Sequence, residues 1–271
     1  MTSQHQEPQA ISSVSQHYDD FLAAHYDWMF GVPFEAKVAE QRKLFEDAGV
    51  TPVPFGCAID LGCGSGFQSF ALSELGYRVL AIDSSERLLR DLAEKVGSQE
   101  IETKVGDIRQ LSSIASELSA DIIVCMGDTL THLSLREEVS TLFRSIERAL
   151  KPSGIVVVTY RDLAATELVG VDRFIPVHSD DNRVMTCFIE HEGPGTVIVH
   201  DLVHVRSSDG KWSLHKSCYR KLRLSTEWLR DEMISAGLSV NFQRTDRMVL
   251  LVASKNRHIR DSQESRKDPH T

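Results

Sequence analysis

"CAIDLGCGSGFQS", Cys57 to Ser69, carries three glycines at alternate positions, Gly62, Gly64 and Gly66, directly after a short apolar run. Glycine has no Cβ, so a backbone built from it can turn tightly and come within contact distance of another body. A structural turn needs one such residue. Three in five positions mark a place where the chain gives up side chains so that something can approach.

What lies downstream gives the stretch its position. Runs rich in β-formers, Cys57–Leu61, Arg78–Ile82, Ile101–Val105, Asp121–Met126 and Ile155–Tyr160, alternate with helical patterns near Gln68–Leu75, Ser85–Val96, Ile108–Leu118 and Leu135–Leu150. That alternation predicts an α/β fold, a Rossmann-like, doubly wound and mostly parallel sheet with helices on both faces. The glycines then sit at the carboxyl end of the first strand, where open α/β sheets bind ligands. Ser134-x-x-Glu137 reads as a capping box opening the fourth helix.

Residues 13–50 read as an N-terminal helical cap. Tyr18, Leu22, Tyr26 and Met29 share a helical face within Ser13–Phe30, and a second helix spans Phe34–Ala48 before Gly49. The aromatics Tyr18, Tyr26 and Trp28 divide between core and a lid over the cleft. Residues 171–224 read as an antiparallel β insert: Arg183–Glu192 and Thr196–Arg206 flank a Gly-Pro-Gly turn, and Asp209-Gly210 leads into Lys211–Leu224. Alternation in that last run puts Arg220 on an apolar face, where it needs a partner, either Asp201 or a substrate anion. His200 and His204 lie too far apart along a strand to chelate one metal, and no metal site is expected. A helix at Thr226–Ala236 and two closing strands, Ser239–Arg244 and Arg247–Ser254, complete a core over 51–170 and 225–256 with a C-terminal antiparallel hairpin. The polar tails, 1–12 and 257–271, are expected to be mobile.

Composition narrows the function classes. The 271-residue chain is 41% hydrophobic and 25% charged, with a formal charge of −9. An acidic chain lacks the basic footprint of a nucleic-acid binder, so no nucleic-acid partner is expected. No apolar run reaches membrane-spanning length and the N-terminus has no secretory pattern. Five cysteines without a CxxC pair suit reduced thiols in a cytoplasm. The reading leaves open a homo-oligomer.

The glycine spacing is GxGxG, with Phe67 where a dinucleotide fingerprint would have glycine. Asp60 stands just before the turn, suited to a cationic or amine-bearing ligand. Asp83, twenty-one residues after Gly62, ends the second strand where a carboxylate can accept from both ribose hydroxyls; it also suits a helix cap. Asp107, after the third strand, is placed for an adenine amino group. On AIDLGCGSG, VLAIDSS, VGDI, DIIVCMGD and LKPSG, the stretch from about Gly56 to Tyr160 resembles the class I S-adenosylmethionine-dependent methyltransferases. The resemblance implies S-adenosyl-L-methionine as cofactor, held by Gly62, Gly64, Asp83, Asp107 and Ile108, with Asp60, Gly66, Ser84, Met126, Gly127 and Tyr26 as further binding candidates.

A narrower resemblance concerns the acceptor. "CMGDTLTHL", Cys125–Leu133, is similar to the loop after strand four of glycine and sarcosine N-methyltransferases, departing at Asp128, where Asn is usual, and at Thr129, where Ser is usual. "VVTYRD", Val157–Asp162, is similar to the segment whose arginine binds a substrate carboxylate. These matches imply methylation of a small-molecule acceptor, an amine or amino-acid-like compound, with His132, Tyr160 and Arg161 as catalytic candidates. A loop histidine that merely packs and an arginine paired with an acid are the plainer readings of His132 and Arg161. The alternatives are O- or S-methylation of a small metabolite, or cofactor binding without catalysis.

Overall fold

The computed structural model describes residues 11–117, 119–165 and 167–256. The chain enters through helix α1 (Val14–Asp20), whose N-cap Ser13 and Gln16 cap each other. The single helix expected over Ser13–Phe30 breaks after α1 into two short 3-10 turns, Leu22–His25 and Trp28–Phe30. Helix α2 (Phe34–Asp47) follows. Three strand–helix units come next: β1 (Cys57–Leu61) and α3 (Phe67–Glu74), β2 (Arg78–Asp83) and α4 (Glu86–Lys95), β3 (Ile101–Val105) and the one-turn α5 (Leu111–Ile114). The helix expected over Ile108–Leu118 is thus shorter, a 3-10 turn leading into α5; Leu118 lies outside the described residues.

Strand β4 (Ala120–Cys125), helix α6 (Arg136–Ala149) and β5 (Leu150–Tyr160) close the parallel half. The N-terminus of α6 is capped by Glu138 rather than Glu137: its Oε2 accepts from the amides of Ser134 and Leu135 at 2.8 and 3.1 Å. Four strands then form a sheet of their own: β6 (Phe174–Ser179), β7 (Arg183–His191), β8 (Thr196–Arg206) and β9 (Trp212–Leu222). Periodicity does not announce β6, which carries Pro176 and runs along the sheet edge, where proline is tolerated. Helix α7 (Thr226–Ser235) returns to the main sheet, which β10 (Leu238–Thr245) and β11 (Val249–Lys255) complete.

The seven-stranded order is β10-β11-β5-β4-β1-β2-β3. Strands β1 to β5 are parallel, and β11 is antiparallel to both β5 and β10. Helices bury both faces. Phe143 and Ile146 of α6 and Leu229 and Met233 of α7 fill one side, and Phe45 of α2, Leu72 of α3 and Leu92 of α4 fill the other, each no more than 1% exposed. No helix among the described residues is long and apolar enough to cross a membrane.

The small sheet stands over the carboxyl edge of the large one, fastened by the N-terminal segment. Register places Cys187, Asp201 and Ser217 directly opposite one another across β7, β8 and β9, hence on one face. His17 of α1 caps that row. Its Nε2 stands 3.0 Å from Asp201 Oδ2, its Nδ1 lies 2.9 Å from Ser217 Oγ, and its ring packs on Tyr219 at 4.2 Å. Cys187 Sγ donates to the other oxygen of Asp201 at 2.6 Å. Asp201 is therefore satisfied from within, and Arg220 points the other way, to Glu192, through paired contacts at 2.7 and 2.9 Å. The buried cation of β9 is its neighbour Lys221. Residues 11 and 12, expected in a mobile tail, are tied down where Ser12 N donates to Cys218 O at 3.0 Å. Residues 1–10 and 257–271 lie outside the described residues.

His17→Ala leaves the Ser217 hydroxyl short of its partner inside this layer and removes the ring packed on Tyr219, which costs about 1–3 kcal/mol for the stranded polar group. A lowered urea midpoint with an unchanged m-value is the expected result; an unaltered midpoint would show that the row does not hold α1.

Candidate active site

The glycine turn occupies the point where the chain reverses the direction in which it adds strands, since β1 pairs with β2 on one side and β4 on the other. Gly62 and Gly64 adopt φ of 72° and 55°, a left-handed backbone that costs most other residues roughly 1–2 kcal/mol. The amides of Gly62 and Cys63 donate to Ile82 O at 2.8 and 3.0 Å, tying the turn to β2. Asp83 braces it from below, accepting from Gly64 N and from Ser85 N, both at 2.8 Å. Each oxygen keeps a lone pair for a ligand hydroxyl. A Cβ on Gly64 would stand 2.8 Å from the Tyr26 hydroxyl, so the N-terminal segment presses directly on the turn.

Two cavities open from this point. One, of about 510 Å³, is lined by Gly62, Gly64, Asp83, Ser84 and Ile108, among others. The other, of about 870 Å³, lies between the ends of β4 and β5 and the inner face of the small sheet. Tyr18, Tyr26, Gly62, Gly127 and Lys221 line both.

The smaller cavity fits an adenosyl cofactor. His132 Nε2 and Ser65 Oγ are buried without a hydrogen-bond partner among the described residues, and buried polar atoms of that kind ordinarily meet one. His132 lines the cavity, the glycine turn offers open backbone, Asp83 offers a carboxylate and Ile108 an apolar wall. Asp107 also lines it, but both of its oxygens already accept from Arg109, at distances from 2.5 to 3.0 Å.

Three candidates stand away from the smaller cavity. Asp60 is 1% exposed beneath the turn, accepts from Ser69 Oγ at 2.7 Å and lines neither cavity. Burial pushes its carboxyl up to about 7, against the pull of the Ser69 hydrogen bond. Gly66 is a packing glycine, since a Cβ there would lie 2.8 Å from Leu92. Met126 faces the larger cavity.

On the acceptor side, Tyr160 is fully buried, donates to Thr226 Oγ1 at 3.0 Å and lines neither cavity, which removes it from contact with a substrate. Arg161 lines the larger cavity, and its partner is Asp128, reached by the backbone amide at 2.7 Å and by Nη1 at 2.6 Å. Lys221 reaches the same carboxylate from the small sheet at 3.1 Å. Burial alone would raise the Asp128 carboxyl; Lys221 and Arg161 outweigh it and hold that carboxyl well below the usual range. His132 is the reverse case. Burial, helped by Lys221, drives its pKa well below the usual histidine value, so the ring is neutral.

Sequence reasoning missed Lys221. Its only signal was a lysine one position from the expected apolar parity of β9, and the partner, Asp128, is 93 residues away.

Asp60 gives a pH signature. A carboxyl raised from near 4 to about 7 binds its proton more tightly in the folded chain, so its ionisation lowers stability as pH rises between those values, and the loss is complete above them. Asp60→Asn is expected to flatten that slope and to raise stability at pH 8 by on the order of 3 kcal/mol, read by chemical unfolding across pH. A parallel slope in both proteins would place the titration elsewhere. Gly64→Ala forces a Cβ toward Tyr26 at positive φ, and calorimetry should show at least a tenfold loss of S-adenosylmethionine affinity.

The comparisons agree with this geometry. Residues 59–158 match the methyltransferase domain family. A cypemycin N-terminal methyltransferase from a Streptomyces species is 36% identical over 114 residues, 42% of this chain and 45% of that protein. The glycine/sarcosine N-methyltransferase of Aphanothece halophytica is 28% identical over 106 residues, 38% of this chain and 40% of that protein. The chain thus spans less than half the length of these curated relatives. Solved structures share the fold over more of its length. The CcbJ methyltransferase of Streptomyces caelestis has a TM-score of 0.72 at 24% identity, covering 88% of this chain and 98% of its own. CalS10, described as an amino pentose methyltransferase from Micromonospora echinaspora, has a TM-score of 0.68 at 15% identity over 93% of this chain and 100% of its own. The glycine turn at the switch point, braced by the acid that ends β2, thus lies inside residues 59–158, the stretch that matches the methyltransferase domain family.

Proposed function

We propose that the protein methylates the nitrogen of a small-molecule amine, using S-adenosyl-L-methionine bound in the smaller cavity and the acceptor in the larger. One observation carries the reading: the two cavities share a wall of Tyr18, Tyr26, Gly62, Gly127 and Lys221. Two reactants seated on either side of it meet there. The names of two relatives, a cypemycin N-terminal methyltransferase and a glycine/sarcosine N-methyltransferase, support nitrogen as the acceptor atom.

When bound, the cofactor supplies a methyl group on a sulfonium, already a good leaving group. The chain's part is to bind, align and exclude water. Alignment of two reactants is worth about 7–11 kcal/mol, more than the roughly 10²–10⁴-fold of a general base. A strong base is not what this site holds. His132 is neutral but its depressed pKa makes it a poor proton acceptor, and burial raises the Tyr18 and Tyr219 phenols well above their usual value, keeping them protonated. The Asp128 carboxylate faces two cations, Arg161 and Lys221. The reacting nitrogen needs its lone pair, so the acceptor must reach the shared wall as the free amine; Arg161 and Lys221 favour that form against the pull of Asp201, which lines the same cavity. Arg161, with Nη1 taken up by Asp128, offers its remaining donors to a carboxylate carried by the acceptor. His132, through its unpartnered Nε2, positions a bound ligand.

A screen of small amines, phenols and thiols for release of S-adenosylhomocysteine tests the proposal. Amine turnover is expected; turnover of phenols or thiols with no amine accepted would replace nitrogen with oxygen or sulfur. The kcat/KM for the identified amine is expected to climb with pH along the acceptor's own pKa. His132→Ala should leave that profile in place and cost less than a general base would. A variant that loses 10²-fold or more and recovers at high pH would restore His132 as the base.

A further inference from the structure

The larger cavity is much bigger than an amino acid requires, and its wall is graded. About 870 Å³ stands near the top of the roughly 300–1,000 Å³ that hold drug-sized ligands. Its direction is legible on α2. Lys37, Glu40, Gln41, Leu44 and Asp47 all line it, and their spacing of three and four puts them on one helical face. From Lys37 to Asp47 that face runs about 15 Å at 1.5 Å per residue. The Lys37 end lies near the shared wall, since Lys37 sits over the Phe30 ring at 5.1 Å and Phe30 packs on Tyr26 at 5.4 Å. The Asp47 end meets the hairpin turn of β10 and β11, where Arg244 stands 3.8 Å from Asp47 and 3.5 Å from Asp246.

Chemistry changes along this length. Next to the shared wall are Asp128, Arg161 and Lys221. The small sheet contributes Ile175, Val177, Met185 and Ile189, and the N-terminal segment contributes Met29; Val177, Met185 and Met29 cluster with Tyr18 and Tyr26, so the apolar wall begins beside the shared wall. At the hairpin, Lys43, Asp47, Arg244, Asp246 and Arg247 form a charged rim, in which Lys43 pairs with Asp47 at 2.9 Å and Arg244 stands beside both Asp47 and Asp246. A free amino acid would touch only the first of these zones and leave the apolar walls in contact with water, which is unfavourable.

We propose that the acceptor is an elongated amphiphilic amine: a nitrogen at the shared wall, an apolar body against the small sheet, and a far end that reaches the charged rim. The inference rests on the amine reading above and deepens it, from any small amine to one with a long apolar body.

The test is a length series, ethylamine, hexylamine and decylamine with glycine alongside, assayed for turnover and, by calorimetry, for binding to the S-adenosylhomocysteine-loaded protein. Each methylene that leaves water for an apolar wall is worth about fourfold in affinity, so the four added from ethylamine to hexylamine should gain roughly 250-fold. Val177→Trp, or Met185→Trp should the first not fold, narrows the apolar zone and should cut the ratio of hexylamine to ethylamine affinity at least tenfold, with retained S-adenosylmethionine binding reporting an intact fold. Flat affinity across the series, glycine outcompeting hexylamine, or an undiminished ratio in a folded tryptophan variant would overturn the inference. Length-dependent binding with no amine methylated would keep the channel and defeat the amine chemistry instead.

Discussion

Asp128 stands 3% exposed at the end of β4 with a left-handed φ of 79°, between a cation from each sheet. Arg161 follows β5 in the large sheet, and Lys221 belongs to β9 in the small one. A buried carboxylate is tolerable only when paired and hydrogen-bonded, and here the pairing crosses the gap between the two sheets. The same contact satisfies Lys221, whose side chain is 8% exposed. Breaking a buried pair of this kind costs about 3–5 kcal/mol, because the charge left behind has nowhere to go. The position of the small sheet above the carboxyl edge, and with it the shape of both cavities, depends on this junction.

Three strand-end acids that look alike in sequence differ in what they do, and burial and neighbours account for the difference. Asp60 is sealed under the turn with one hydroxyl for company, and its proton is held to about 7. Asp83 is braced by two backbone amides at the cavity surface. The forked hydrogen bonds of Arg109 dominate Asp107 and lower its pKa. Of the three, Asp83 combines exposure to the smaller cavity with oxygens not taken up by a side chain.

The N-terminal segment joins these features. His17 anchors α1 on the row of Cys187, Asp201 and Ser217, and a few residues later Tyr26 reaches the glycine turn. Its break into 3-10 turns lets one short stretch touch both sheets, which a straight helix over Ser13–Phe30 would not do. Tyr18 and Tyr26 stand between the two cavities as a consequence.

The sequence by itself determined the large sheet, because strand period, helix period and turn glycines are local signals. Each of β1 to β5 falls close to its run of β-formers, and the turn with Asp83 was readable from spacing alone. Local signals also misled where a partner decides. Arg220 and Lys221 are adjacent on β9, and alternation favoured the wrong one, since only the folded chain brings Asp128 to Lys221 and Glu192 to Arg220. Asp60 and Gly66 carried the right residue types around the turn, yet packing turned them away from the smaller cavity, and Tyr160, expected on the acceptor side, is buried against Thr226. Tertiary structure alone decided the acceptor side, because it is assembled from α1, α2, the ends of β4 and β5, and the small sheet. No period along the chain relates residues that meet only when two sheets close on each other.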